Sequence, residues 1–352
     1  RVNRFWVDDN EDEIALLERE INHNIQKRQK ELELTIALTN YCNFSCVYCY
    51  QNKNEKLMTT EVANMIIEKI DRILNDNIFE GINIHYFGGE PLLNIPVLIY
   101  LDENIKKITD KIGIVYKAFL TTNGSMLSKE LLQKVKFSSI QLTFDGLEKT
   151  HDRLRVSDHF HFKEEIELIE NIMNFSQAKV LLRTNICKEN KDEIIALHKY
   201  IFEKFGNERI EINPNRTIKY HQDDSFEMLS VQEYAEVAYQ IKLLWSEQKG
   251  KFELPVPRST PCKFPYGNAY AISPEGYCTF CSGSMDQEKK YFFDVDIENK
   301  KMFSVRKECK KCNILPLCLG GCIIQYNLRA GACTYEKYEL KNILISYIKH
   351  IS

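Results

Sequence analysis

Cysteine carries most of the chemistry available to this chain, and ten of its twelve copies stand at spacings that suit metal ligation. Cys42, Cys46 and Cys49 form a C-x3-C-x2-C loop directly after an apolar, strand-like run. A structural zinc or a complete iron–sulfur cluster takes four protein ligands. Three thiolates on one loop therefore either borrow a distant fourth ligand or leave one metal position open to a small molecule. The second group lies towards the C-terminus: Cys262, then Gly276 and Cys281, then Cys309, Cys312, Cys318 and Cys322 as C-x2-C-x5-C-x3-C, and finally Cys333. Residues 269–273 and 277–281 flank Pro274-Glu275-Gly276 as a hairpin, with the glycine supplying the positive φ of the turn and Cys281 presented from a strand. Cys187 stands alone and reads as a buried hydrophobe. Cys278, three residues before Cys281 on the same strand, is expected to point to the opposite face.

The elements that must position these loops are legible as six apolar, β-rich runs at 31–38, 82–87, 114–121, 139–144, 180–186 and 209–213, the last ended by Pro214. Helix-like segments at 59–74, 95–112, 128–135, 162–175 and 190–205 lie between them. Strand–helix alternation implies a parallel sheet with right-handed crossovers. Six units fall short of a closed eight-stranded barrel and fit an α/β fold of open partial (β/α)6 TIM-like type, in which function sits on loops at the strand C-terminal ends. The cysteine loop follows the first strand, at such an end. Before it, residues 10–31 carry Ile14, Leu17, Ile21 and Ile25 on one face, as in a surface helix packed on the domain. The chain divides into an N-terminal helical segment (1–31), a core (32–215), a linker with a helix at 231–245 (216–260), and a small cysteine-rich C-terminal domain (261–352) closed by a helix over 335–351.

With 352 residues, 44% of them hydrophobic, the chain is long enough for one large domain and one smaller one. Its net charge of −3 comes from 47 basic and 50 acidic residues interspersed along the chain, which advertises no electropositive face for nucleic acid. Neither a run long enough to span a membrane nor the h-region of a signal peptide occurs, so a cytoplasmic location is expected. In that reducing setting the cysteines argue for metal or redox chemistry rather than disulfides.

Three more loops fall at the same end of the sheet. Tyr86-Phe87-Gly88-Gly89-Glu90-Pro91 follows the second strand, Thr121-Thr122-Asn123-Gly124 the third, and Thr143-Phe144-Asp145-Gly146 the fourth, continued by His151-Asp152-Arg153-Leu154-Arg155. Each contains a common turn signal, and His85 and His151 read first as structural histidines. Taken with Tyr48 before the last cysteine of the first loop, however, the set resembles the radical S-adenosylmethionine (SAM) enzymes. The resemblance implies that Cys42, Cys46 and Cys49 hold three irons of a [4Fe–4S] cluster whose fourth iron chelates the amino and carboxylate groups of SAM. It also implies cofactor contacts from Tyr48, from Gly88, Gly89 and Glu90 at the amino group, and from Asn123, Thr143 and Arg155 at the ribose and carboxylate. Arg155 has a bidentate carboxylate pairing open to it, with a structural salt bridge as the rival, and Arg183 is a further candidate. A side chain at Gly89 is expected to clash with the cofactor.

The C-terminal cysteines resemble the seven-cysteine pattern of the SPASM extension of those enzymes, which carries two auxiliary [4Fe–4S] clusters. By that resemblance Cys262, Cys281 and Cys322 serve the first, and Cys309, Cys312, Cys318 and Cys333 the second. Such enzymes act mostly on peptides. The implied function is a peptide maturase that modifies a ribosomally made precursor by hydrogen abstraction, with Cys-to-carbon thioether formation ahead of carbon–carbon cross-linking and epimerisation. Sulfatase maturation is an alternative, but those enzymes place an Asp after the hairpin cysteine where this chain has Ser282. The implied partners are the precursor peptide, an electron donor such as flavodoxin or ferredoxin, and a separate leader-binding protein unless residues 5–9 are the tail of a leader-binding element. Outside catalysis, the rival is a zinc-stapled peptide-binding module.

Overall fold

The computed structural model describes residues 12–51, 53–206, 209–219, 226–250, 254–279, 281–283, 290–295, 302–322 and 333–351. Residues 5–9, considered as the tail of a leader-binding element, lie outside them. Alternation of strand and helix builds the core as expected: β1 Glu31–Ala37, α2 Thr60–Asp76, β2 Gly81–Phe87, α3 Ile95–Ile112, β3 Val115–Thr121, α4 Lys129–Lys134, β4 Phe137–Thr143, α5 Glu148–Leu154, α6 Phe162–Phe175, β5 Lys179–Ile186, α7 Ile194–Phe205 and β6 Ile210–Arg216, with α1 Glu13–Arg28 ahead of them. Adjacent strands from β1 to β6 are all parallel, and the sheet remains open. Helix starts follow local chemistry. Thr59 and Ser128 accept from backbone N–H groups as N-caps of α2 and α4, and Gly113 ends α3 in the left-handed conformation. One face of each strand packs Leu, Ile and Val against the helices, as at Leu32, Leu34 and Ile36 on β1 and Ile140 and Leu142 on β4.

Pro214 does not end the sixth strand. It pairs with Thr184 inside β6, which continues to Arg216. The sheet order makes the reason plain: β6 is an edge strand, and a proline that cannot donate is tolerated where one side of a strand has no neighbour.

The C-terminal part joins the same sheet. After α8 Val231–Lys249 and the short α9 Lys263–Tyr266, β7 Asn268–Ile272 pairs in parallel with β1, and β8 Tyr277–Thr279 and β9 Lys290–Tyr291 extend the sheet antiparallel to an order of β6-β5-β4-β3-β2-β1-β7-β8-β9. Helix α1 packs on the cysteine-rich part rather than on the barrel. Its Ile21 and Ile25 form a small core with Phe303, Val305, Leu315 and Leu319. The Asn22 side chain pairs with Phe303 in both directions, its Nδ2 donating to the carbonyl at 2.9 Å and its Oδ1 accepting from the N–H at 2.7 Å. At the end of α1, Arg28 and Lys263 meet the Glu33 carboxylate at 2.9 and 2.8 Å. Burial opposes the charge of Glu33, yet the two cations outweigh it and hold the carboxyl below its ordinary range. After the short α10 Leu315–Cys318, α11 Glu336–Ile351 lies along α8, joined by Lys242–Glu339 at 2.6 Å and an edge-on Tyr234–Tyr335 pair. Among the described residues, no helix is long and apolar enough to cross a membrane.

Candidate active site

The cysteine loop is stitched down on both sides. On one side, Asn40 N–H and the Thr39 hydroxyl both donate to the Lys56 carbonyl, at 3.0 and 2.9 Å; on the other, Ser45 N–H donates to Val156 and Val47 N–H to Leu154. This fixes Cys42, Cys46 and Cys49 as half-buried thiols along a cleft at the C-terminal end of the strands. Burial pushes the Cys42 thiol up, and it pushes Cys46 up to about 11 despite the Arg155 guanidinium beside it. Such thiols stay protonated until a metal displaces the proton.

Gly88 and Gly89 line the cleft, and both must be glycine because of the chain itself. Gly88 has φ +144°, and a Cβ there would stand 2.4 Å from the Thr39 carbonyl oxygen. At Gly89 a Cβ would meet the Tyr41 carbonyl oxygen at 2.2 Å and Asn40 O at 2.9 Å. The obstacle to a side chain at Gly89 is thus the backbone of the cysteine loop, against which the glycine loop is laid edge to edge. Glu90 turns inward beneath the loop, with no exposure. Its carboxylate accepts from Leu92 N–H at 3.0 Å, from the Thr122 hydroxyl at 2.6 Å and from Asn123 N–H at 2.6 Å, which ties the second loop to the third. Burial nevertheless prevails over these donors and raises its pKa to about 7.

Asn123, Thr143 and Arg155 also line the cleft. Asn123 Nδ2 donates to Asn43 Oδ1 at 2.8 Å and lies 4.0 Å from the Cys42 sulfur. Arg155 is buried with its Nε unpartnered among the described residues, and its guanidinium lies 5.4 Å from the centre of the Phe44 ring. Burial works against its charge, but Cys46, Tyr48, Glu165 and Asp145 more than compensate and hold its pKa above the ordinary arginine value. The Tyr48 hydroxyl donates to Asp145 Oδ2, and Asn185 N–H donates to Asp145 Oδ1 at 2.7 Å. Asp145 therefore anchors the aromatic residue of the cysteine loop to the ends of β4 and β5. Sequence reasoning read it only as part of an Asp-Gly turn. Gln51, Gln141, Asn185 and Thr217 on the cleft wall carried no motif signal at all.

The C-terminal cysteines separate into neighbourhoods. Burial raises the Cys262 thiol, and Cys322 beside it adds to the shift; burial and then Cys318 raise Cys309, and burial followed by Glu336 and Cys312 raises Cys318, against the Gly320 N–H. Between Cys318 and Cys322, Leu319, Gly320 and Gly321 all take positive φ, a turn tight enough to bring Gly320 N–H to 3.4 Å from the Cys318 sulfur. Cys281 lies just beyond β8, half-buried, with Gly283 N–H 3.3 Å from its sulfur, whereas Cys278 is packed in the main core. Cys333 is exposed, 3.9 Å from Lys337 Nζ. Among the described residues, no three His, Cys, Asp or Glu side chains surround one point as a single ion requires. A cubane spreads its thiolates over separate corners and makes no such demand.

Residues 36–201 match the profile described as the radical SAM superfamily. That stretch of the core carries the radical SAM domain. Among curated relatives, an uncharacterized protein of Methanocaldococcus jannaschii is 34% identical over 119 residues, 33% of this chain and 39% of the other. The radical SAM cyclopropyl synthase TigE of Paramaledivibacter caminithermalis is 24% identical over 93% of this chain and 76% of its own length. Among solved structures, native anSMEcpe with bound AdoMet and Kp18Cys peptide covers 91% of this chain and 98% of its own, with a TM-score of 0.70 at 19% identity. Streptococcus suis SuiB bound to precursor peptide SuiA covers 96% and 82%, with a TM-score of 0.61 at 16% identity. The likeness in fold to these structures thus extends beyond the matched core into the C-terminal part of the chain, and the matched superfamily is one whose enzymes use SAM and a [4Fe–4S] cluster. The alignment spans well under half of the first of these relatives.

Proposed function

We propose that this enzyme is a peptide maturase that removes a hydrogen atom from a ribosomally made precursor and leaves a Cys-to-carbon thioether cross-link. The observation that carries the reading is the single cleft that gathers Cys42, Cys46, Cys49, Gly88, Gly89, Asn123, Thr143 and Arg155 at the strand ends. Its setting supports a peptide substrate, because two structures solved with bound peptides share the fold over nine-tenths of the chain.

In this reading the three cysteines hold the cluster, and the Gly88 and Gly89 backbone receives the amino group of SAM. Arg155 meets the carboxylate, and Asn123 and Thr143 meet the ribose. The residues fit: Arg155 offers a buried donor without a partner, and the glycines leave a strip of bare backbone. Bound there, SAM supplies a 5′-deoxyadenosyl radical on reduction. Phe44, Tyr48, Tyr50 and Phe87 form an apolar wall that keeps water from the reacting atoms. The seven C-terminal cysteines hold two auxiliary clusters in the two sets implied by the resemblance. An electron donor such as flavodoxin or ferredoxin, and a separate leader-binding protein, belong to the same proposal.

The thioether assignment rests on ligand count. Cys262, Cys281 and Cys322 make three, and the spare Cys278 is packed in the core, which leaves a fourth position for a peptide thiolate. TigE, aligned over most of the chain, is named for cyclopropyl synthesis and favours carbon–carbon bond formation as the second reading.

Mass spectrometry of the peptide encoded beside the gene, after incubation with the reduced enzyme and SAM, tests both. Loss of two hydrogens together with an alkylatable thiol supports thioether formation. Loss of two hydrogens with every thiol alkylatable favours a carbon–carbon bond, and unchanged mass with solvent deuterium at an α-carbon indicates epimerisation. An unmodified peptide, with SAM cleaved, rejects the maturase reading.

A further inference from the structure

Two guanidinium groups line the cleft, and none of the residues described as lining it is Asp or Glu. Their surroundings differ. Arg155 lies at the cysteine loop, with Cys46, Tyr48, Glu165 and Asp145 around it. Arg183 projects from β5, in register with Thr143 on one side and Asn213 on the other. Its Nε donates to Asn185 Oδ1 at 2.9 Å, and Asn185 is itself fixed by its N–H to Asp145. Among the described residues, that is the one hydrogen bond of the Arg183 side chain. No carboxylate among the described residues lies within ion-pair distance of it. Arg209 offers a contrast: its guanidinium is taken up by the carbonyls of Ile172, Met173, Ser176 and Ala178. Burial weakens the charged form of Arg183, with Asp145 the first group to oppose that effect. A half-buried cation held in orientation but left unpaired on a cleft wall is a site prepared for an anion.

We propose that Arg183, oriented by Asn185 and flanked by Gln141 and Asn213, binds a carboxylate of the peptide substrate, either an acidic side chain or the C-terminus. The inference rests on the maturase reading and deepens it. SAM has one carboxylate, on the same carbon as its amino group. If Gly88 and Gly89 at the end of β2 take the amino group, that carboxylate stays on the β2 side. β5 lies three strand spacings away, ~14 Å along the sheet. Arg155 already stands at the cysteine loop to meet the cofactor, so Arg183 is left for the other molecule in the cleft. Amides suit the rest of that wall, where Gln141 and Asn185 line the cleft and Asn213 and Asn215 stand behind Gln141 on the neighbouring strand. Asn213 Nδ2 donates to Gln141 Oε1 at 3.3 Å and Asn215 Nδ2 to Asn213 Oδ1 at 2.7 Å, and such groups both donate to and accept from a peptide main chain.

The test uses the anaerobically reconstituted full chain and the peptide encoded beside its gene. Calorimetry measures SAM affinity, then peptide affinity at saturating SAM, for wild type, Arg183→Gln and Arg183→Lys. Arg183→Gln is expected to weaken the peptide at least ~30-fold, the loss typical of truncating one partner of a desolvated charge pair. SAM affinity is expected to stay within about twofold, and Arg183→Lys to restore part of the loss. Each Asp and Glu of the peptide is then changed to its amide, and the C-terminus is amidated. One of these changes should weaken wild type by a similar factor and have no further effect on Arg183→Gln, the non-additivity that identifies the pair. Lost SAM affinity with peptide affinity intact would return Arg183 to the cofactor. Equal peptide affinity in wild type and Arg183→Gln, or additive losses for every peptide carboxylate, also overturns the site. Each of these outcomes leaves the maturase reading standing. Wild-type enzyme that neither binds nor modifies the peptide overturns both.

Discussion

Gly89 and Tyr41 approach closer than any side chain would allow, with the Tyr41 carbonyl oxygen 2.2 Å from the place of a Gly89 Cβ and accepting from Glu90 N–H at 2.9 Å. The glycine loop therefore braces the cysteine loop as well as lining the cleft. Gly89→Ala should force the two backbones apart, destabilise the fold by ~2 kcal/mol or more, and reduce iron incorporation at the same time. Melting temperature and iron content of the anaerobically reconstituted variant check this. If both stay at wild-type values, the loops part more easily than their geometry implies.

Glu90 gives a pH dependence. Its pKa is about 7 in the fold against 4.5 for the ordinary group, so the folded chain holds a proton there that the unfolded chain has already released. Its contribution is fully present below pH 4.5 and is lost as pH rises to about 7, a change of roughly 3 kcal/mol. Glu90→Gln, which cannot ionise, should lack that part of the pH profile. Denaturation curves of wild type and variant between pH 5 and 8 make the comparison, and parallel profiles would assign the burden to another group.

Replacing Cys42, Cys46 and Cys49 together with Ala should abolish 5′-deoxyadenosine release and, for the three clusters proposed above, lower iron from about twelve to about eight per chain. Iron and sulfide assays with product chromatography report on it. Continued release from the triple variant would remove these cysteines from the cofactor site.

Asn22→Ala should loosen α1 from the cysteine-rich part. The change leaves the Phe303 N–H and carbonyl unpaired in a half-buried place, a cost of ~1–3 kcal/mol. Limited proteolysis reads it as earlier cleavage within residues 12–28, and an unchanged digestion pattern would show that Ile21 and Ile25 hold the helix without the amide.

The six core strands were legible because a parallel sheet covered by helices writes itself as apolar runs such as Leu32–Leu34–Ile36. The boundary at Pro214 was misplaced because a proline signals strand ending only where both neighbours are present, and β6 has one. The pairing of β7 with β1 could not be read at all: Asn268–Ile272 looks like a strand, but nothing in five residues names its partner. At the site, residue types with unusual chemistry announced themselves, as the cysteines and Gly88-Gly89 did. Asp145 and Asn185 did not, since their roles come from meeting Tyr48 and Arg183 across the sheet. Arg183 was noticed only as one more cation near a cofactor, because the absence of an ion pair to it among the described residues is a fact of three dimensions.

The alignment of β7 with β1 also has a consequence for biosynthesis. Leu32 pairs with Asn268, more than two hundred residues later in the chain. At ribosomal speeds, β1 waits roughly 10 to 50 s with one edge bare. A bare strand edge invites pairing with another nascent chain. The loop that carries Cys42, Cys46 and Cys49 hangs from that edge throughout. Closing that edge is left to residues 268–272.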